Sequence, residues 1–440
     1  MTLQSAVTDP AQSAVDRVER VCVNVHGCLP YQNGRLTFVR GQGAYLMTSD
    51  GRSCVDLVNA FGSVLLGHAD PAIVEAVSAA VTDGLPAAAH DIAGEVAERI
   101  IADTAHGSTV AFFKTGTDAV RAATLAVRAV RRRRLLVSAG FHGWDEPWTP
   151  AAREPFTINE AGVFDCFYLP EALEPFLDSH AGDVAAAVIS PDYLHLHPAR
   201  LRRLIQACRD RGVPVIADDV KYGYRFGAGS SLRQVGIEAD VYVYAKGLAN
   251  GWPIACVAGP PELLAPMRLW CSTLTYDVPS LAAARATLEQ LAARGAQARI
   301  AEQGAAFLAA ARDRIRTSRL PIEPIGDGHG FQFVLAPELD DAFFAYAAEH
   351  GLLLSPGDNQ FPSLAFAGGA IDDALRALSA TLDDLSARFP QLRSAPLTQR
   401  ARWLAAWSQM DGFADGDDAV DADTRRAFIA EQLASGEEPV

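Results

Sequence analysis

Val241-Tyr242-Val243-Tyr244-Ala245-Lys246-Gly247 is an apolar run that ends in a lysine and a glycine. A short run of this kind, bounded by a turn residue, reads as a strand buried on both faces. A lysine directly at its end is poorly explained as surface charge. Partial desolvation there disfavours the ammonium form and favours reaction of the amine with a carbonyl. Composition sharpens the point: of 38 basic side chains, only Lys114, Lys221 and Lys246 are lysines. Arginine supplies the remaining positive charge, and arginine stays protonated and cannot form an imine. Lys114 and Lys221 are the competitors. The first lies in a turn after another strand and the second follows an acid pair, so either also reads as a structural charge partner.

Outward from this run, similar segments recur at Val110–Phe113, Leu135–Ser138, Ala185–Ser190, Pro214–Ala217 and Ile254–Ala258. Amphipathic segments lie between most of them. Thr117–Arg133 carries Val120, Ala123, Val127 and Val130 on one face, and Ala199–Arg211 and Ser280–Ala293 behave similarly. Pro198 ahead of the second suits a helix start. Strand–helix alternation implies a layered α/β fold with a mostly parallel sheet. Before residue 70 the pattern changes: Ala44–Met47 and Ser53–Leu57 flank Asp50-Gly51, a hairpin signal. After residue 320 come short strands at Gly330–Leu335, Leu352–Leu354 and Ser363–Ala367, then a helix from Ile371 to Arg388. These two ends are expected to form a second, smaller α+β domain. From Asp411 to Glu438 nine acids stand against two bases, which predicts a peripheral acidic extension.

Two further strand ends carry candidate chemistry. In Phe113-Lys114-Thr115-Gly116-Thr117-Asp118-Ala119 a strand ends, a glycine permits close backbone approach and a helix begins. Backbone N–H groups and threonine hydroxyls converge there, as a phosphate site requires. A plain helix cap, with Thr117 capping and Asp118 in the first turn, explains the same residues. In Val215-Ile216-Ala217-Asp218-Asp219-Val220 acids sit at the C-terminal end of a buried strand, where α/β sheets place their sites. An aspartate there can hold a ring nitrogen protonated and make the ring an electron sink. A helix cap is the plainer reading, and the absence of a second carboxylate cluster at ligand spacing argues against a metal pair. Phe141-His142-Gly143-Trp144 follows another strand. Phe141 suits one face of an aromatic cofactor ring and Val220 the other, although an aromatic at a strand end also serves as core. His195-Leu196-His197 lacks a third ligand and reads as structural.

The bulk numbers exclude several classes. The chain has 440 residues, 49% hydrophobic and 21% charged, as in an ordinary soluble globular protein. A formal net charge of −15 offers no basic face for nucleic acid. The Arg131 to Arg134 run is the one dense basic stretch, and it reads as a solvated helix C-terminus. Seven scattered cysteines without CxxC spacing suit a reducing cytoplasm rather than a disulfide framework. Acids at Asp9, Asp16 and Glu19 argue against a secretory signal, and no apolar run reaches the roughly 18 residues of a membrane span.

Taken in order, these motifs resemble the class III aminotransferases of the fold-type-I pyridoxal-phosphate enzymes, especially the glutamate-1-semialdehyde aminomutase-like branch. The resemblance covers roughly residues 35 to 388. Gly41-Gln42-Gly43-Ala44-Tyr45 through Asp50-Gly51 looks like the family's opening hairpin, and Leu66-Gly67-His68-Ala69-Asp70-Pro71 matches its next signature. Thr115-Gly116-Thr117-Asp118-Ala119 resembles the family's Ser-Gly-Thr-Glu-Ala phosphate turn. Phe141-His142-Gly143 resembles the motif whose aromatic stacks on the cofactor, and Asp218-Asp219-Val220 resembles Asp-Glu-Val. Ser272-Thr273, followed by Ser280-Leu281-Ala282-Ala283, looks like the segment whose threonine reaches the neighbouring subunit's phosphate. Phe361 through Ala367 resembles the aminomutase branch's C-terminal signature.

The resemblance implies a large domain with a mostly parallel central sheet and helices on both faces, plus a smaller α+β domain. The expected boundaries are an N-terminal segment over 1–68, the cofactor domain over 69–318, the C-terminal small domain over 319–392 and the acidic extension over 393–440. It implies pyridoxal 5'-phosphate held by Gly116, Thr117, Phe141, Asp218, Val220, Lys246 and Thr273, with Lys246 and Asp218 catalytic and no metal. It further implies a homodimer with shared sites, acting on small-molecule amines and carbonyl compounds and not on nucleic acid or membrane. The expected reaction is transamination, with Lys246 as the base and acid that moves the substrate proton; a 1,2-aminomutase or epimerase on the same scaffold is the alternative, and a non-catalytic cofactor-binding protein a more distant one. Two departures bear on substrate. The aminomutases place an arginine near the N-terminus for a substrate carboxylate, whereas no arginine lies between Arg20 and Arg35 here, and the usual Glu-Pro reads Ser190-Pro191. An acceptor other than an ordinary α-keto acid is therefore expected, such as an oxidised aminosugar or aminocyclitol of antibiotic biosynthesis. The negative charge suits such cationic substrates.

Overall fold

The computed structural model describes residues 36–84, 90–104, 109–145, 148, 156–194, 196, 198–398 and 401. They divide into two compact units, one of residues 36–70 with Arg299–Ala401 and one of Pro71–Ala298. His26, Tyr31, His195, His197 and the acidic stretch after residue 401 lie outside the described residues. No described helix is long and apolar enough to cross a membrane.

In the first unit, β1 (Phe38–Gln42), β2 (Tyr45–Thr48) and β3 (Ser53–Asp56) form an antiparallel meander. In the second, β4 (Thr109–Phe113), β5 (Leu135–Ala139), β6 (Val163–Asp165), β7 (Val184–Ile189), β8 (Val215–Asp218), β9 (Val241–Tyr244) and β10 (Ala255–Gly259) form a seven-stranded sheet in the order β4-β10-β9-β8-β7-β5-β6. Among its pairings only those of β10 are antiparallel. All residues of β7, β8, β9 and β10 are buried, which is why each reads as a continuous apolar run rather than an alternating one. The six expected strands are present with ends shifted by a residue or so. The three-residue β6 was not expected, being too short to carry a periodic signal.

The longer helices in this unit are α1 (Pro71–Thr82), α2 (Asp91–Thr104), α3 (Gly116–Arg131), α4 (Pro170–His180), α5 (Pro198–Asp210) and α6 (Val278–Ala293). Helix α3 positions the site. Thr115, not Thr117, is its cap: Thr115 is extended and its hydroxyl accepts from the Asp118 N–H at 3.1 Å. Ala119, Val120, Ala123, Ala126 and Val127 pack it on the sheet. At its other end the arginine run is more than solvated charge. Arg131 donates to the Gly212 carbonyl at 2.8 Å and Arg133 to that of Ala181 at 3.1 Å.

The first unit is completed by α7 (Ala296–Ser318), β11 (Ile322–Asp327), β12 (Gly330–Leu335), α8 (Asp340–Glu349), β13 (Leu352–Leu353) and α9 (Gly369–Arg388). β13 joins the meander parallel to β3, and β11 pairs antiparallel with β12. Phe307, Phe331, Phe343 and Phe366 lie in its core. The strand expected over Ser363–Ala367 is instead a turn: Leu364 N–H bonds Leu65 O at 2.7 Å, and Phe366 N–H folds back on Ser363 O at 2.9 Å. Its apolar residues anchor a turn, a pattern that alternation does not separate from a strand. His68 of the Leu-Gly-His signature bonds the fully buried Asp56 at 2.7 Å.

Gly304 on α7 and Gly328 in the β11–β12 turn meet backbone to backbone. A Cβ built on Gly304 would lie 2.1 Å from Gly328 O, and one on Gly328 only 1.8 Å from Ala301 O. No flexible side chain can yield there. Gly304→Ala is expected to cost about 1–3 kcal/mol through overpacking. Urea denaturation followed by circular dichroism measures this, and a midpoint equal to that of the wild type would contradict the contact.

Candidate active site

β5, β8 and β9 run parallel and end at one edge of the sheet, and residues just beyond those ends meet the turn that follows β4. Asp218 closes β8 and pairs in register with Val243 of β9, so Lys246 lies three residues further along the adjacent chain. Lys246 itself is half-buried and has φ 42°, a left-handed conformation. It opens a single 3-10 turn, Lys246–Ala249, followed by Asn250 at φ 47° and Gly251 at φ 94°. A long side chain held left-handed costs roughly 1–3 kcal/mol and is typical of functional positions.

The phosphate-turn candidate packs directly on this edge. A Cβ on Gly116 would stand 3.0 Å from both methyls of Val220 and 3.6 Å from Ala245 Cβ. A side chain there would have to push the Val220 methyls aside by a few tenths of an ångström, and glycine lets the amide-rich start of α3 sit against the residues flanking Asp218 and Lys246. Gly143, at φ +115°, lies similarly close to Thr117, with its missing Cβ 2.5 Å from Thr117 Oγ1. The loop after β5 is thereby locked to the first turn of α3.

His142, between Phe141 and Gly143, is fully buried in its side chain, and its Nδ1 lies 2.7 Å from Asp218 Oδ2. The other Asp218 oxygen accepts from the Val220 N–H at 3.4 Å. Nothing in the local sequence gives His142 a role. Its available signal was an imidazole one residue beyond an aromatic at a strand end. Phe141 is 57% exposed. These contacts connect Gly116, Thr117, Asp218 and Val220, and reach Phe141 and Lys246 through their chain neighbours. They do not include Thr273, which is exposed on the segment after Trp270.

The competing lysines have other surroundings. Lys114 Nζ donates to Asp277 Oδ2 at 3.2 Å and to Ser280 Oγ at 3.1 Å, tying the end of β4 to the start of α6. Burial would raise the Asp277 carboxyl pKa, but bonds from Ser280 and the Lys114 charge outweigh it and hold it below the usual range. Lys221 lies 5.9 Å from the centroid of the Tyr222 ring. Asp219, beside Asp218, turns away from that histidine. It accepts from Ser231 N–H and Ser231 Oγ, both at 2.6 Å, and bracing of this kind fixes the chain beyond β8.

The matched family model is that of the class-III aminotransferases, over residues 30–145 and 166–382. The chain belongs to the class III aminotransferases. It is a pyridoxal 5'-phosphate-dependent enzyme that moves an amino group between an amine donor and an aldehyde or ketone. This class III aminotransferase is 32% identical to the 2'-deamino-2'-hydroxyneamine transaminase of Streptomyces kanamyceticus, over 79% of the chain and 90% of that relative. It is 28% identical to a glutamate-1-semialdehyde 2,1-aminomutase of Thermomicrobium roseum, over 79% and 91%. An omega-transaminase structure from Sphaerobacter thermophilus superposes with a TM-score of 0.76 at 22% identity, covering 86% of this chain and 98% of that one, and shows the shared fold.

Burial pushes the Asp219 carboxyl up to about 6 against the opposing bonds from Ser231 and Ser230, and the Asp218 charge adds to the rise. The folded aminotransferase then binds a proton that the unfolded chain has released between the ordinary carboxylate pKa and about 6. Stability contributed by this group is expected to fall as pH rises through that window, by at most about 3 kcal/mol, and to stay level above it. Urea midpoints of the cofactor-free protein from pH 4 to 7 test this. Asp219→Asn should flatten the slope, and an unchanged slope would refute the assignment.

Proposed function

We propose that the amino-group acceptor is a carbonyl on an aminosugar or aminocyclitol ring, and that Lys246 and Asp218 carry the reaction. The observation that carries the substrate reading is the 32% identity to the neamine-type transaminase along 90% of that relative's length. The absence of arginine between Arg20 and Arg35 and the net charge of −15 support it.

The cradle fits pyridoxal 5'-phosphate. The amides at the start of α3, seated by Gly116 against Val220, suit a phosphate dianion, and a buried carboxylate supported by an imidazole suits a protonated ring nitrogen. When bound, the cofactor supplies an electron sink for the pair released at the substrate carbon. Gly116 and Thr117 bind its phosphate from the N-terminus of α3, with Thr273 of the partner subunit closing the anchor. Phe141 and Val220 take the two faces of the ring. Asp218 keeps the ring nitrogen protonated, and His142 Nδ1 orients that carboxylate. Lys246 Nζ holds the cofactor at rest and then takes up and returns the proton of the substrate carbon. The homodimer is supported by apolar side chains around Thr273 that one protomer leaves exposed, among them Leu269 at 90% and Leu274 at 50%. Buried free thiols at Cys54, Cys166, Cys208 and Cys256 support a reducing, cytoplasmic setting.

Several aminomutase relatives favour a second reading, an internal 1,2-shift on the same scaffold. Incubation with an oxidised aminocyclitol and varied amino donors separates the two. Transamination predicts one donor consumed per product amine, and turnover confined to glutamate semialdehyde without a donor would defeat the proposal. Borohydride reduction followed by peptide mapping should place the cofactor on Lys246; attachment to Lys114 or Lys221 would overturn the site.

A further inference from the structure

Lys114 stands between two structures that the site needs. Before it in the chain is β4, which ends at Phe113; after it comes Thr115, the cap of α3, whose start is the phosphate turn. Its ammonium reaches across to α6 instead, donating to Asp277 Oδ2 at 3.2 Å and to Ser280 Oγ at 3.1 Å. Asp277 is the extended cap of α6, and the same Oδ2 also accepts from the Ser280 N–H at 3.0 Å and from the Ser280 hydroxyl. The two charged side chains are 20% and 21% exposed, so solvent only partly screens the pair.

Asp277 also closes the segment that carries Thr273. Two turns run into it. The Thr275 N–H bonds Ser272 O at 3.1 Å, with the Ser272 N–H returning to Thr275 Oγ1 at 2.9 Å, and the Asp277 N–H bonds Leu274 O at 3.1 Å. From Cys271 to Tyr276 only Thr275 is buried. A segment so exposed has little packing of its own, and its position depends on its fastenings. Two of these lead back to β4 and the residue that follows it. The Tyr276 ring meets the Phe112 ring edge-on with centroids 5.9 Å apart, and Asp277 meets Lys114.

We propose that Lys114 is a positioning residue whose ion pair with Asp277 holds the segment from Ser272 to Asp277, and with it Thr273, where it meets the cofactor phosphate of the partner subunit. The inference rests on the reading of Thr273 as that anchor. It ties two sites together: the turn that binds a protomer's own phosphate begins at the residue after Lys114, and the segment that serves its partner is fastened to Lys114 itself. A lysine suits the task, since a long stem spans the distance from the strand end to α6 and a point charge meets a single carboxylate oxygen. Without it Asp277 keeps both Ser280 bonds, so the cap of α6 survives and the segment alone is loosened.

Equilibrium dialysis of pyridoxal 5'-phosphate against the full-length protein tests this in a double-mutant cycle. Lys114→Gln is expected to weaken cofactor binding about three- to tenfold and Thr273→Val about tenfold or more. Because Lys114 acts through Thr273, Lys114→Gln should add little to the loss in the Thr273→Val background. Lys114→Arg, which keeps the charge, should restore most of the affinity. Asp277→Asn, which keeps the cap, should reproduce the loss from the other side of the pair. Unchanged affinity in Lys114→Gln, or in Asp277→Asn if the first variant does not fold, overturns the inference. Equal losses in both backgrounds also overturn it, since Lys114 would then act on its own phosphate turn. A Thr273→Val protein that binds as tightly as wild type removes the reading of Thr273 and the inference together. A weakened Thr273→Val beside an unaffected Lys114→Gln leaves that reading standing and removes the inference alone.

Discussion

The hydrogen bond between His142 and Asp218 is the interaction on which the site depends. Asp218 is 3% exposed at the end of a strand with apolar neighbours, where burying a carboxylate without a polar partner is costly. An imidazole at 2.7 Å supplies the missing polar contact. To deliver it, the chain after β5 must bend sharply at Gly140 and Gly143, at φ +100° and +115°, and press against Thr117. The bend fixes Phe141 and locks the loop to α3. One buried charge thus sets the path of a loop, the seat of a helix and the presentation of an aromatic ring.

Much of this was legible in the sequence because each contributing residue closes a buried strand. Continuous apolar runs made β4, β5, β7, β8 and β9 visible, and the residue following each was exposed by contrast. Asp218 and Lys246 stood out because a charge after four or five apolar residues has few bland explanations. His142 was harder to read. Its partner is 76 residues away, and the contact depends on strand order, which local patterning does not encode. The cap of α3 was misplaced by two residues because Thr115 and Thr117 both precede an acid-bearing first turn. Ser363–Ala367 mimicked a strand because apolar residues that anchor a turn share the composition of those that alternate along a sheet.

The scaffold and the substrate rest on different kinds of information. The sheet, the Gly116–Val220 contact and the buried acid suit the cofactor chemistry, whereas the chain's relatives rearrange or transfer amino groups on unlike molecules. Discrimination among those molecules falls to side chains on loops and chain ends. There Ser190-Pro191 and the absence of arginine across residues 21–34 differ from the pattern that the sequence resemblance implies for the aminomutases. The missing arginine removes a cation suited to a carboxylate-bearing ligand.

The near-absence of lysine has a consequence beyond the site. An enzyme that handles aldehydes and ketones exposes its own amines to them, and each accessible ammonium is a place for slow, unproductive adducts. Guanidinium groups do not condense in this way. With its surface charge carried by arginine, and with Lys114 engaged by Asp277 and Ser280, the molecule offers carbonyl compounds few primary amines other than Lys246. Such a surface presents few competing amines to the carbonyl compounds the enzyme handles, a corollary of the same pattern that makes Lys246 conspicuous.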